Sequence, residues 1–176
     1  MGSFISFIPT PYEDVDPFFV LAPVSAEDVV YDLGCGDGRL LFAALERGAG
    51  RAIGIELDPL PLQTAKTKAR QLGLEHKIGF VQGDVMETDL SPATLVLCYL
   101  ITAASAALKP KLERELRPGS RVVMEAFPVH GWKVSEVWEV PYKTFYLYRM
   151  PPEPETFGEG RFQGPGYEYF NFNEGF

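Results

Sequence analysis

Three carboxylates and three glycines carry the chemistry for which this sequence can be read. Asp32 closes an apolar run, Val29-Val30-Tyr31, and the turn after it, Leu33-Gly34-Cys35-Gly36-Asp37-Gly38-Arg39, alternates glycine with other residues. Glu56 ends a second apolar run, Ala52-Ile53-Gly54-Ile55, and Asp84 follows a third, Ile78-Gly79-Phe80-Val81, across Gly83. A strand that delivers an acid to a glycine turn is how α/β proteins hold nucleotides. The absent side chains let backbone approach the ligand, and the acids accept hydrogen bonds from its sugar or base. Spacing narrows the choice. A dinucleotide-binding turn is G-x-G-x-x-G, and counting from Gly34 puts Arg39 where the third glycine belongs. The chain reads D-x-G-x-G-x-G instead, which disfavours a nicotinamide dehydrogenase. Glu56 lies about 20 residues beyond Gly34, the offset of an acid that holds a ribose.

The elements that must position these residues alternate between strand and helix. Leu40 to Arg47 reads as an amphipathic helix ended by Gly48, and Ala52 to Leu57 as the second strand. Pro59 and Pro61 fit only the first turn of the next helix, which runs to Leu72 before Gly73. Its Lys66, Lys68 and Arg70 read as a solvated face. Ile78 to Val81 is a short third strand, and Ala93 to Tyr99 is a fourth, buried on both faces by its unbroken apolar run. A helix from Thr102 to Leu116 is expected to split at Pro110, and Arg121 to Phe127 is the fifth strand. Lys133 to Val140 and Thr144 to Tyr148 read as two closing strands joined at Pro141. At the start, Thr10-Pro11-Tyr12-Glu13 is a T-x-x-E capping box with proline at the first helical position. Pro17 is expected to interrupt that helix and Pro23 to close it.

The chain has 176 residues, enough for one domain with a substantial core. We divide it into a domain over 1–150 and a Pro/Gly-rich, acidic, aromatic tail over 151–176, to which no function is assigned. No apolar run approaches the roughly 20 residues that span a bilayer, and the first residues lack the basic region of a signal peptide. Gly2 and Ser6 match the short myristoylation pattern, which recurs by chance. The expectation is a soluble, cytoplasmic protein without a membrane partner. A net charge of −8 speaks first to solubility, is compatible with a basic protein or a small molecule as substrate, and argues against a nucleic-acid partner. Two cysteines, Cys35 and Cys98, and two histidines, His76 and His130, have no ligand-like spacing, so no metal site is expected.

The D-x-G-x-G-x-G turn, the segment Ile53-Gly54-Ile55-Glu56-Leu57-Asp58 and the turn Gly83-Asp84-Val85 together resemble the ordered motifs of class I S-adenosylmethionine-dependent methyltransferases. The resemblance implies a Rossmann-like, seven-stranded, mostly parallel sheet with an antiparallel C-terminal strand and helices on both faces. It also implies S-adenosyl-L-methionine as cofactor. Gly34, Gly36 and Gly38, with Leu33 and Cys35, would shape the turn beneath the methionine portion, and Asp32 would orient that turn or the cofactor's amino group. Glu56, beside Leu57, would accept from the ribose hydroxyls, and Asp84, beside Val85, from the adenine amino group. Tyr99 and Leu100, just beyond the fourth strand, would form the rim through which the acceptor comes.

Within that class, Phe7-Ile8-Pro9-Thr10-Pro11, the stretch Leu108 to Val123 and the turn Gly131-Trp132 resemble small archaeal and mitochondrial protein-lysine methyltransferases. There the N-terminal segment lies over the methionine end of the cofactor, so Thr10 is either a cofactor contact or a helix cap. The resemblance spans roughly Phe7 to Arg149. Cys98-Tyr99-Leu100-Ile101 replaces the Asn/Asp-Pro-Pro-aromatic motif of base and amide methyltransferases. A protein substrate with an exposed lysine follows. A lysine ammonium, with a pKa of about 10.4, has no lone pair, so the site must hold the neutral amine. Desolvation and alignment can do this without a catalytic histidine. Glu125, at the end of the fifth strand, either draws a cationic side chain to the rim or is a solvated strand-end acid. Two alternatives share the cofactor motifs: a small-molecule methyltransferase and a non-catalytic S-adenosylmethionine-binding module. The number of methyl groups transferred and the oligomeric state are left open.

Overall fold

The computed structural model describes residues 14–99 and 102–155, the side chains of 102–104 apart. Seven strands make one sheet: β1 Val29–Leu33, β2 Arg51–Glu56, β3 Ile78–Gln82, β4 Leu95–Cys98, β5 Arg121–Glu125, β6 Glu136–Val140 and β7 Lys143–Arg149. Their order is β3-β2-β1-β4-β5-β7-β6, with the first five parallel and β7 antiparallel to both β5 and β6. The chain reverses its direction of travel across the sheet between β1 and β4, where Leu33 pairs with Cys98. Such a switch point opens a crevice at the carboxyl ends of the strands, and ligands of open α/β sheets bind there.

Both faces of the sheet are covered, which is why the inner strands read as unbroken apolar runs. On one face Val30, Leu95, Leu97, Val123, Phe145 and Leu147 pack beneath α1 (Val15–Leu21) and α2 (Arg39–Glu46). Farther along, Leu62 and Ala69 of α3 (Pro59–Gln71) meet Ala52 of β2 and Leu41 and Phe42 of α2. On the opposite face Leu108, Leu112 and Leu116, from α4 (Thr102–Glu115) and its end, meet Val96, Cys98, Val122 and Met124. Burying each of the valine, leucine, phenylalanine and methionine side chains among these contributes about 1.5–3 kcal/mol.

Several sequence expectations are corrected. Pro110 does not split its helix: α4 runs through it, held by buried Leu108 and Leu112 on either side and by Lys111, whose ammonium lies 2.9 Å from both Glu115 oxygens. Packing outweighs one lost backbone bond. Pro17 does not interrupt α1 either, because the described helix starts at Val15 and a proline in the first turn forfeits no helical bond. The expected Thr10–Glu13 cap lies outside the described residues. Lys133 belongs to no strand; its N–H donates to the Glu153 carbonyl, so residues just past Met150 run alongside 131–133. Among the described residues no helix is long and apolar enough to cross a membrane.

At the opposite edge from the crevice, Asp28 ties three elements together. Its carboxylate accepts from Ser25 N–H at 2.7 Å, Thr94 Oγ1 at 2.7 Å and Arg121 Nη2 at 2.7 Å. Burial alone would raise its pKa, but Thr94, the Ser25 N–H and Arg121 prevail and hold the carboxyl below its usual range. A depressed acid stabilises the fold above its unfolded pKa near 4, and the contribution is lost as pH falls. Asp28→Ala strands these donors and is expected to cost about 2–3 kcal/mol, a fall in Tm of roughly 5–10 °C. Cofactor affinity should stay unchanged, because the residue is remote from the crevice. Melting and titration of the same variant check both halves.

Candidate active site at the carboxyl edge of the sheet

The glycine turn folds back over β2. Gly34 and Cys35 both donate their N–H groups to the Ile55 carbonyl, at 2.8 and 3.0 Å. Gly34, Gly36 and Gly38 all have positive φ, +85°, +52° and +79°, which a side chain would disfavour. Above Gly34 the space is open: a Cβ there would meet no heavy atom within 4 Å. Gly38 precedes α2, while Asp37 turns its carboxylate onto the Arg39 guanidinium, with Nη2 at 2.6 Å. Burial works to raise Asp37, and Arg39 overcomes it, holding the carboxyl below its usual range.

Two of the three carboxylates lie on neighbouring turns. Glu56, almost fully buried, accepts the Gly36 N–H on Oε2 and the Asp58 N–H on Oε1, each at 2.9 Å, which fixes it against the glycine turn. The Gly83 N–H donates to the Glu56 carbonyl at 3.1 Å, so the β3 turn that carries Asp84 abuts the end of β2. Asp84 is exposed and accepts the Met86 N–H at 2.8 Å. Leu57 and Met86 are exposed and Val85 is half-buried, giving this end of the crevice the apolar surface a purine ring needs. Asp32 differs. It is buried, and burial, reinforced by the Glu56 and Asp37 charges, pushes its pKa up to about 8. A buried carboxyl so destabilised as an anion is suited to receive a cation. The residues present fit S-adenosylmethionine: an open glycine turn, a ribose-type acid, an apolar shelf, and a buried acid for the ammonium or sulfonium.

Tyr99, just beyond β4, is 38% exposed, whereas Glu125, at the end of β5, is fully buried, so it is not a solvated strand-end acid. It sits among the sheet's own residues and meets Lys143 of β7, with Oε1 2.8 Å from Nζ. Asp14, at the start of α1, also pairs with Lys143. Burial raises Glu125 above the usual carboxylate range in spite of the Lys143 ammonium. Leu100 and Thr10 lie outside the described residues. Cys35 and Cys98 are both buried free thiols, pushed up chiefly by burial. Among the described residues no cluster of His, Cys, Asp and Glu could hold a metal ion.

Sequence reasoning passed over four contributors. Asp58 caps α3 by accepting the Leu60 N–H at 2.9 Å; its position just before Pro59 was the available signal. Lys143 and Asp14 become visible only when the β6–β7 hairpin and α1 are folded onto β5. The fourth is Gly54. A Cβ there would come within 2.5 Å of Cys35 Sγ and 2.7 Å of Leu41 Cδ1, so β2 needs glycine to let the turn settle on it. Gly54→Ala should displace that turn, cost about 1–3 kcal/mol, and weaken cofactor binding roughly ten-fold. Native-like melting and an unchanged titration would contradict this role.

The comparisons agree with this geometry. The ANTKMT methyltransferase domain matches residues 32–136. The chain is 39% identical over 149 residues to a protein-lysine N-methyltransferase of Saccharolobus islandicus, covering 82% of this chain and 92% of that protein. It is 33% identical over 102 residues to the adenine nucleotide translocase lysine N-methyltransferase of Mus musculus, covering 58% of this chain and 44% of that protein. Among solved structures, an RNA methyltransferase from Salinibacter ruber in complex with S-adenosyl-L-homocysteine superposes with a TM-score of 0.80 at 37% identity, covering 86% of this chain and 100% of the other. The family match over more than half of the chain, the lysine methyltransferase relative and the S-adenosyl-L-homocysteine-bound structure agree with one another, and the chain belongs to the ANTKMT family of S-adenosylmethionine-dependent methyltransferases.

Proposed function

We propose that the protein transfers the methyl group of S-adenosylmethionine to the side-chain amine of a lysine in another protein. The observation that carries this reading is the 39% identity to a protein-lysine N-methyltransferase along nearly its whole length. The buried carboxylates of Glu125 and Asp14, close to Tyr99, make this side of the crevice negative, which suits a cationic side chain. In the proposal, Gly34 to Gly38 and Asp32 take the methionine portion, Glu56 the ribose and Asp84 with Val85 the adenine, while Tyr99 and Glu125 act on the acceptor side, a role given to Leu100 from the sequence alone. The cofactor supplies an electrophilic methyl on a positively charged sulfur. The protein's part is to hold a neutral amine in line with that methyl, which alignment and exclusion of water accomplish. A cytoplasmic location is part of the same proposal and rests on the sequence alone.

A second reading comes from the Salinibacter structure, whose protein is described as an RNA methyltransferase. The net charge of −8 weighs against it, because a phosphate backbone calls for clustered lysine and arginine. Incubation with labelled S-adenosylmethionine, a lysine-rich protein mixture and total RNA separates the two. The proposal expects label on lysine side chains, located by mass spectrometry. Label confined to RNA or to small molecules would overturn it.

A further inference from the structure

Three elements converge on one ammonium at the acceptor side of the crevice. Lys143 Nζ sits between the Asp14 and Glu125 carboxylates and lies 5.8 Å from the centre of the Tyr99 ring. Asp14 comes from the start of α1, Glu125 from β5, Tyr99 from the end of β4 and Lys143 from the start of β7. The lysine side chain is 25% exposed, while the two carboxylates are 8% and 1% exposed. Two acids around one ammonium leave a formal charge of −1 in a place sheltered from water. The second Glu125 oxygen, Oε2, is buried without a hydrogen-bond partner among the described residues. A buried, unsatisfied carboxylate oxygen is costly and uncommon, and the cost falls when a cation arrives.

The backbone beside it is also held in an unfavourable conformation. Ala126 has φ +72°, and the Phe127 N–H closes onto the Glu125 carbonyl at 3.0 Å, a tight turn that a residue with a side chain seldom adopts. Tyr142, next to Lys143, has φ +70° and is wholly exposed. Strained residues thus adjoin both Glu125 and Lys143, the pattern expected where geometry serves a ligand.

We propose that Glu125 Oε2, the Asp14 carboxylate and the Tyr99 face form an ammonium subsite for the acceptor side chain, with Lys143 as the resident cation that fixes Glu125 through Oε1. The inference rests on the lysine reading given under Proposed function and adds the residues that select the acceptor. Carboxylates and an aromatic face are the groups that recognise an alkylammonium. The guest neutralises the residual charge and satisfies Oε2. Lys143 has a second consequence, as a positioning residue. A fixed ammonium beside the guest disfavours the guest's own charge, easing the loss of the proton that must go to solvent before the amine can attack.

The test uses n-butylammonium chloride as the smallest mimic of a lysine side chain, with the full chain loaded with S-adenosylhomocysteine. Calorimetry should show butylammonium binding that weakens at least ten-fold in Glu125→Gln, with S-adenosylhomocysteine affinity unchanged in the same preparation. The isosteric change keeps the Asp14–Lys143 pair, and the cofactor titration reports that the variant is folded. In turnover on poly-L-lysine, Glu125→Gln should raise KM more than it lowers kcat. Lys143→Gln should move the rising limb of the kcat–pH profile upward by about one unit, and Lys143→Arg should restore it, a response that a purely structural role would not produce. Equal butylammonium binding by native protein and Glu125→Gln, or no binding by the native protein, overturns the subsite. Butylammonium binding without methyl transfer to poly-L-lysine would instead overturn the lysine reading and leave the subsite standing.

Discussion

Glu56→Ala is expected to weaken S-adenosylmethionine binding by about 10²-fold. Two charge-assisted hydrogen bonds to ribose hydroxyls contribute roughly 1.5–3 kcal/mol each, less what water recovers, and about 1.4 kcal/mol is a factor of ten. The variant also frees the Gly36 and Asp58 N–H groups that this carboxylate receives, so the glycine turn loses its tie to the end of β2. Loss of affinity should therefore come with a modest fall in Tm, of roughly 2–6 °C. Calorimetric titration beside a melting curve checks both. Retention of native affinity would remove Glu56 from the ribose role assigned to it.

Asp32→Asn should stabilise the ligand-free protein at alkaline pH while impairing cofactor binding. Burial, with the Glu56 and Asp37 charges, raises this carboxyl to about 8 in the fold. The unfolded chain ionises near 4, so the folded state holds the proton more tightly. Stability contributed by that proton is complete below about pH 4 and is lost as pH climbs through about 8. Some four units at about 1.4 kcal/mol each put the full loss on the order of 5 kcal/mol. Asparagine cannot ionise and should abolish that part of the decline, which melting curves from pH 5 to pH 9 will show. Cofactor binding reverses the balance, because an ammonium or sulfonium against Asp32 favours the anion. At pH 7 the native protein should release close to one proton per cofactor bound, read from titrations in buffers of different ionisation enthalpy. Asp32→Asn should release none and bind about ten- to 100-fold more weakly, the worth of one buried charge pair. Equal proton release by both proteins would dissociate Asp32 from the cofactor.

The parallel half of the sheet could be read from residues because its strands are buried on both sides. Val29 to Tyr31 and Leu95 to Leu97 are unbroken runs of apolar and aromatic residues before Asp32 and Cys98. The glycine turn was equally legible, since its spacing reports a backbone requirement of the turn itself. What escaped depended on contacts between distant segments. Pro110 stays within α4 because Leu108 and Leu112 are packed against the sheet, which no local rule of helix termination registers. The burial of Glu125 was hidden for a similar reason. Its cation, Lys143, is 18 residues away and reaches it only when β7 lies antiparallel to β5. Gly54 was read only as one residue of the second strand, and the Cys35 side chain that requires it belongs to another turn.

The most direct test of the whole account is a crystal structure of the chain soaked with S-adenosyl-L-homocysteine. The ligand is expected over Gly34 to Gly38, with both ribose hydroxyls on Glu56, the adenine against Val85 and Asp84, and the sulfur turned toward Tyr99. Density at that turn occupied by the protein's own side chains, or a ligand bound away from Glu56 and Asp84, would contradict it.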